Sequence, residues 1–337
     1  MTSSTVHHLP RILVVCPVYR DAPAFAELRR RVRHVLADMR DVGEVRFVVT
    51  DDTAGEDGEL AAMRDDQTDV LVPPYNLGHQ GAIVYALRES APTLRPDDVV
   101  VTMDSDGEDR PEDLPALLAP LRDHADDLLL VAVARRTRRQ ESATFRLSYL
   151  VFKAVFKLLT GVVIRSGNFA AMRGALVVAA IGHPCFDQCY SSSLISLPFR
   201  RRDVPIARGT RYSGRSRMGF FRLVTHGMHM LMPFLDRIAV RCLLASAVVG
   251  ASGLALLAIL LAATLVGTDL PDAWAAAVAV TMLVTAGFGV LASLTLFATA
   301  ARSRAQSVRV LHSEQPLGTR RTKSGAPLAS PDVPTTP

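Results

Sequence analysis

The sequence predicts an α/β domain followed by a membrane-embedded helical hairpin, on three observations. Through the first 241 residues, short β-branched apolar runs alternate with longer segments of helical period, the pattern of a layered α/β domain. Two blocks, 242–267 and 273–301, hold almost no charge, and each is longer than the roughly 20 residues a helix needs to cross a bilayer core. Over all 337 residues, 49% are apolar and 21% charged, with 38 Lys and Arg against 33 Asp and Glu and a formal net charge of +5. That balance excludes a wholly disordered chain and one that is membrane throughout.

Residues 12–16 read as the first strand, ended by Pro17, and Asp21 can cap a helix over 22–39. Residues 45–50 form a second strand that runs into the acidic turn Asp51-Asp52-Thr53-Ala54-Gly55. A short third strand over 70–72 precedes Asn76-Leu77-Gly78, which opens a helix over 78–90. The fourth strand, 99–103, ends on Asp104-Ser105-Asp106; Pro111 starts another helix, and 128–134 is a fifth strand. Over 142–159, Phe145, Tyr149, Phe152 and Phe156 recur at helical spacing, a stripe that most often faces a core. Residues 187–197 are helical, and 219–237 read as an amphipathic interfacial helix with Phe220, Phe221, Met228 and Met232 inward.

Arg237 and Arg241 precede the first apolar block and Arg302 and Arg304 follow the second, while the turn 268–272 carries neither Lys nor Arg. The positive-inside bias then puts the large N-terminal part and both termini on the cytoplasmic side of the cytoplasmic membrane. Residues 1–10 lack the apolar stretch of a cleaved leader, and 313–337, rich in Pro, Ser and Thr, read as a disordered basic tail. The expected division is an extension (1–10), the α/β domain (11–218), a juxtamembrane helix (219–241), two transmembrane helices (242–301) and a tail (302–337). Cys16, Cys185, Cys189 and Cys242 are too few and scattered for a disulfide framework, and His183 with Cys185 and Cys189 lacks a fourth zinc ligand.

Open parallel sheets bind ligands at the carboxyl ends of their strands, where this chain places its two acidic turns. Asp104 and Asp106 can offer two carboxylates to a hard divalent cation, with Glu108 and Asp109 adding charge that would repel unless neutralised. The alternative is a solvated acidic loop that caps the helix at Pro111.

The succession VVCPVYRD, VVTDDTAGEDG, NLGHQGAIVYAL and VVTMDSDGEDRPEDL resembles, in order and spacing, the nucleotide-sugar-binding half of family 2 glycosyltransferases of the Rossmann-like GT-A fold. Within that family the chain looks most like the branch of dolichyl-phosphate mannose synthase and the bacterial polyprenyl-phosphate glycosyltransferases. The resemblance covers roughly residues 11–225, and the later GNFAAM and RYSGRSRM segments and the two apolar blocks follow the branch's layout. It implies that Pro17 and Tyr19 line a nucleoside pocket and that Asp51, assisted by Asp52, contacts the base or ribose. It puts Asn76, Gly78 and His79 on a loop that approaches the donor, and Asp104 beside the nucleotide sugar. Asp106, with Asp104 and Glu108, would hold Mg²⁺ or Mn²⁺. Arg211, Ser216 and Arg217 would lie in a loop that closes over the donor diphosphate and the acceptor phosphate. A lipid-facing basic stretch is the other reading of these arginines, and it suits Arg200, Arg201, Arg202, Arg208 and Arg222 better. The branch also uses the region of 142–159 to lie on the bilayer.

The expected activity is a membrane-anchored, metal-dependent, inverting transfer of sugar from a UDP- or GDP-sugar to a polyprenyl phosphate, for cell-envelope glycan or glycolipid synthesis. Transfer to a hydroxyl of a glycolipid or lipid-linked saccharide is an alternative, for which Asp187 is the candidate general base, its other reading being a helix N-cap. An inactive adaptor that binds nucleotide sugars is a second alternative. Asn168 stands where close relatives often have Asp, and Asp106-Gly107-Glu108 replaces the more usual Asp-Leu-Gln, which leaves the acceptor open. A Q-x-x-R-W signature is missing, which points away from a processive synthase, and the arginines lack a nucleic-acid-binding motif. A homo-oligomer is left open.

Overall fold

The computed structural model describes residues 9–39, 41–136, 143–164, 166–212, 220–267 and 273–314. In chain order they form β1 (Leu9–Val18), α1 (Ala22–Ala37), β2 (Val42–Asp51), α2 (Gly58–Ala61), β3 (Thr68–Leu71) and α3 (Gly78–Ser90). There follow β4 (Val99–Thr102), α4 (Leu114–Asp123), β5 (Leu130–Arg136), α5 (Ala143–Thr160), β6 (Ser166–Arg173), α6 (Gly174–Ala180), α7 (Cys185–Gln188) and α8 (Tyr190–Ser196). The chain continues through β7 (Arg200–Ile206) and α9 (Phe220–Leu231) to two long helices, α10 (Leu235–Leu265) and α11 (Ala273–Glu314).

The strands make one sheet in the order β3-β2-β1-β4-β6-β5-β7. Every pairing is parallel except those of β6, which runs antiparallel between β4 and β5. Successive side chains of a strand point to opposite faces, and β1 shows the consequence. Ile12, Val14 and Cys16 enter a core with Phe25 and Leu28 of α1 and Leu117 and Leu118 of α4, whereas Leu13 and Val15 enter another with Ile83 and Leu87 of α3 and Leu176 of α6. Helices on both faces explain why the β4 run, Val99–Thr102, is buried throughout.

Two strands lie where the sequence suggests none. β6 contains Gly167 and Asn168 and lacks a run of β-branched residues, and β7 begins with three exposed arginines, only Val204 and Ile206 being buried. β7 is an edge strand, where charge and Pro205 discourage pairing with another chain. Arg200 and Arg201 pair with Asp127 (3.1 Å) and Asp203 (2.9 Å) along that edge. The helix expected over 187–197 is two short ones, because Cys189 is extended (φ −166°) between α7 and α8.

One expected apolar face is corrected, and the other packs inward where its side chains are described. In α9, Gly227 and Met230 are buried while Met228 is 56% exposed, because the helical phase set by Gly227, which abuts Phe152, turns Met228 outward. Phe220, Phe221 and Arg222, like Phe145 and Tyr149, lie outside the described side chains. In α5 it is Phe156 that packs inward, edge-on to Phe234 with ring centroids 5.5 Å apart, while Leu150, Val151, Val155 and Leu158 face out.

Two helical segments, Leu223–Leu265 and Ala275–Arg302, are long and apolar enough to cross a membrane, and only 6% and 17% of their most apolar stretches is buried in the protein. They pack as a hairpin through small residues. An added Cβ at Gly253 would lie 3.1 Å from the Ala279 carbonyl, and one at Gly250 3.2 Å from Ala286. The hairpin is anchored to the domain by a third core of Phe156, Ile164, Cys189, Met230, Phe234 and Ile238, and by Arg241, which donates to the Leu158 carbonyl at 2.7 Å.

Candidate active site

The site lies at the carboxyl ends of β1, β2 and β4. Parallel register brings these ends level: Pro17 is opposite Thr50, Val18 is opposite Asp51, and the Asp52 N–H donates to the Val18 carbonyl at 2.9 Å. The Ser105 hydroxyl donates to the Pro17 carbonyl at 3.2 Å, which joins the turn after β4 to the tip of β1. Pro17 is buried, and Tyr19 just beyond it is 46% exposed with the Arg20 guanidinium over its ring.

Asp51 is 1% exposed; its Oδ1 accepts from the Thr53 N–H (3.0 Å) and hydroxyl (2.5 Å), whereas its Oδ2 is buried with no partner among the described residues. A buried carboxylate oxygen without a donor is costly and calls for one from a ligand. Asp52 is used differently. Its Oδ1 accepts from the Leu77 N–H at 2.7 Å and its carbonyl from Asn76 Nδ2 at 2.6 Å, while Asn76 Oδ1 accepts from the Gly78 N–H. These bonds satisfy the open donors at the start of α3, and Gly78 supplies the positive φ (+70°) that the turn requires. Asp52, Asn76 and Gly78 thus shape the loop that presents His79. Burial raises the Asp52 carboxyl more than the Leu77 and Gly78 N–H groups lower it.

Beyond β4, four carboxylates crowd together and are answered by side-chain cations. His79 Nε2 lies 3.0 Å from Asp104 Oδ1, to which Asn168 Nδ2 also donates at 3.3 Å. Asp106 Oδ2 pairs with Arg211 at 2.9 Å, and Glu108 is gripped by Arg208 Nε (3.0 Å) and Arg211 Nε (2.9 Å). Asp109 pairs with Arg136 at 3.3 Å and accepts the Asp104 N–H at 2.9 Å. The Gly209 and Tyr212 N–H groups bond to the Glu108 and Asp106 carbonyls at 2.8 Å, which lays 209–212 along the acidic turn. Gly107 is needed there, because a Cβ on it would meet the Tyr212 ring at 2.8 Å.

Burial works against every charge in this cluster. It pushes the Asp109 carboxyl up, with help from the Asp104 charge, to about 7. Burial and then the Asp104 charge also raise Asp106. Asp104 shares the burial, yet the charge and hydrogen bond of His79, with Arg136 and Asn168, lower it well below the usual carboxylate range. Glu108 is lowered because its bonds to Arg208 and Arg211 outweigh its burial. The His79 ring, its side chain 44% exposed, is raised: desolvation opposes its charge, and Asp104 prevails.

Several expected site residues have partners of their own. Both Glu108 oxygens are bound by arginines, just as Asp104 and Asp106 are paired with His79 and Arg211. Arg208 is bonded to Glu108 in the site, not turned to lipid. Asp187 is engaged by Arg88 at 2.6 Å, near the far end of α3. Ser216 and Arg217 lie outside the described residues. Sequence reading overlooked Arg136, which ends β5 with only 14% of its side chain exposed, and Gln80, which donates to Asn168 Oδ1 at 2.7 Å. The arginines that close the apolar strand, Arg135 and Arg136, were the available signal for the first.

Residues 13–177 match the family described as Glycosyl transferase family 2. The chain is similar to the undecaprenyl-phosphate 4-deoxy-4-formamido-L-arabinose transferase of Proteus mirabilis (strain HI4320), 24% identical over 233 residues that cover 66% of this chain and 67% of that protein. It is likewise similar to the protein of that name from Salmonella choleraesuis (strain SC-B67), 24% identical over 229 residues, 64% of this chain and 65% of the relative. The chain thus spans about two thirds of the length of these relatives. Among solved structures it is similar to glucosyl-3-phosphoglycerate synthase from Mycobacterium tuberculosis in complex with Mg²⁺ and uridine diphosphate, at 18% identity and a TM-score of 0.44 over 68% of this chain and 79% of that one.

Proposed function

We propose, from the premise that this chain carries a family 2 glycosyltransferase domain of the GT-A fold, that it moves a sugar from a UDP- or GDP-sugar to a polyprenyl phosphate at a membrane surface, inverting the anomeric carbon. The observation that carries this reading is the crowd of four withdrawn carboxylates beyond β4, neutralised by side chains of which all but Arg136 can be exchanged for a ligand's charges.

In this reading Asp51 Oδ2 takes a donor from the base or ribose, beside Pro17 and Tyr19. Mg²⁺ or Mn²⁺ fits the donor set at Asp104 and Asp106: both are hard oxygen ligands, and Asp106 stays raised despite Arg211, so its negative charge is under-compensated. With Glu108 held by arginines, phosphate oxygens of the donor would have to complete the shell. When bound, the cation stabilises charge on the departing nucleoside diphosphate. Arg211, freed from Asp106, is placed to hold a phosphate oxygen, as guanidinium groups do well.

The acceptor is inferred from how the carboxylates beyond β4 and the candidate base Asp187 are engaged. Asp104, Asp106, Glu108, Asp109 and Asp187 are each paired with a basic side chain. A phosphate monoester, with its second pKa near 6, is already largely anionic at neutral pH and needs no base. The names of the similar transferases, which contain undecaprenyl-phosphate, support that choice. The apolar hairpin would seat the domain on the bilayer with its basic flanks, and the domain itself, on the cytoplasmic side.

The test uses the full chain in nanodiscs with Mn²⁺, UDP- or GDP-sugars and undecaprenyl phosphate. Nucleotide release that needs the lipid, and a lipid product labile to mild acid, are expected. A product stable to mild acid would assign a hydroxyl acceptor, and sugar-nucleotide binding without release would assign an adaptor; either overturns the proposal.

A further inference from the structure

Behind Asp104 runs a chain of amides whose direction is set from one end. The Ser191 N–H, in the first turn of α8, donates to Gln80 Oε1 at 3.1 Å, and Cys189 Sγ lies 3.4 Å from the same oxygen. A backbone N–H cannot be turned round, so the Gln80 oxygen must face α8 and its Nε2 the other way. There it donates to Asn168 Oδ1 at 2.7 Å. Asn168 is oriented in turn: its Nδ2 donates to Asp104 Oδ1 at 3.3 Å, beside His79 Nε2, which lies 2.7 Å from it and faces the same Asp104 oxygen. Its backbone is equally fixed: the Asn168 carbonyl accepts the Thr102 hydroxyl at 2.6 Å, and that hydroxyl lies 2.9 Å from the buried Tyr190 hydroxyl.

We propose that Gln80 and Asn168 are positioning residues for the transfer reaction, which relay the fixed N–H of Ser191 into a donor held at Asp104 Oδ1. The inference rests on the reading that Asp104 stands beside the nucleotide sugar, and it goes beyond it by assigning what sets the orientation of that carboxylate. It also accounts for an amide at position 168. An aspartate there could accept from Gln80 but would show only oxygen to Asp104, and would add a fifth carboxylate to a cluster that already strains against burial. An amide is the one side chain of this shape that accepts on one side and donates on the other.

Gln80→Glu separates positioning from structure. Glutamate keeps the oxygen that accepts from Ser191, so α8 keeps its partner. It loses the N–H for Asn168, whose amide then turns its Nδ2 to the new carboxylate and its Oδ1 to Asp104. In the full chain in nanodiscs, with Mn²⁺ and the UDP- or GDP-sugar that wild type turns over, Q80E, which brings a carboxylate to the edge of the cluster, should still melt cooperatively, a few degrees below wild type. Its kcat should fall by roughly 10- to 100-fold with little change in donor KM, as expected for a reacting group held out of line. Asn168→Leu should lose as much, and the double variant no more than N168L alone, because both act on one relay. In the ¹⁵N spectrum of the side-chain amides, recorded without substrate, the Asn168 resonances should shift in Q80E. Wild-type kcat in Q80E, losses that multiply, or unmoved Asn168 resonances would each overturn the inference. Should the wild-type chain release nucleotide from no donor, the proposed function is what fails, and the amide spectrum still decides the relay.

Discussion

The two acidic turns, after β2 and after β4, end parallel strands on either side of β1 but neutralise their carboxylates by different means. After β2, Asp51 and Asp52 are bonded by the Thr53 N–H and hydroxyl and by the Leu77 N–H, of which the two N–H groups cannot leave without unfolding their loops. After β4, Asp104, Asp106, Glu108 and Asp109 are answered by side chains, His79, Arg211, Arg208 and the more buried Arg136, of which the first three can swing away. Backbone donors suit a site that recognises one fixed shape, with Asp51 Oδ2 left to complete it. Exchangeable cations suit a site whose charge must change as a polyanionic donor enters and its diphosphate leaves.

That contrast can be broken most forcefully at Asp106. Asp106→Ala should abolish Mn²⁺ binding and lower lipid-dependent nucleotide release by roughly 100- to 1,000-fold, the scale of losing charge stabilisation in a transition state. Nucleotide release at wild-type rate would remove the basis for a cation at this turn. Arg136→Met tests whether Arg136 is structural rather than exchangeable. It leaves Asp109 buried beside Asp104, and chemical denaturation should register a loss of about 3 kcal/mol, largely regained on adding Asp109→Asn. Asp51→Asn sharpens the other side: the amide keeps an oxygen for Thr53 but puts a donor where Oδ2 was. Calorimetry with UDP or GDP should show roughly 10- to 100-fold weaker nucleotide binding, with Mn²⁺ affinity unmoved; a parallel loss of Mn²⁺ would merge the two turns into one site. The smallest effect on stability belongs to Arg211→Gln, whose side chain is 32% exposed, so unfolding should change by less than ~1 kcal/mol. Its Mn²⁺ affinity without nucleotide should rise, because the guanidinium no longer competes for Asp106.

The early strands were legible because their signal is local. β1, β2 and β4 are apolar runs that stop at polar turns, and α3 begins and ends where its Asn-Leu-Gly opening and helical period say. β6 and β7 were not, since one is held by strands on both sides and the other carries arginines on an edge, so each owes its conformation to its neighbours. The phase of α9 was misjudged for a related reason: Met228 and Met230 are equally apolar, and only the close approach of Gly227 to Phe152 decides which of them is buried. The acidic residues could be picked out along the chain, but their partners could not. Glu108 meets Arg208 across 100 residues and Gln80 meets Asn168 across 88.

Sequence alone determined the alternation of strands and helices, the two apolar spans and the acidic residues at strand ends, because periodicity, span length and turn chemistry are properties of neighbouring residues. Only the tertiary structure decided that Glu108 is held by arginines, that Asp187 stands with Arg88, and that Gln80 and Asn168 stand behind Asp104. Those pairings depend on which strands and helices the sheet lays side by side, and a short polar side chain reads the same in any of them until packing withdraws it from water and names its partner.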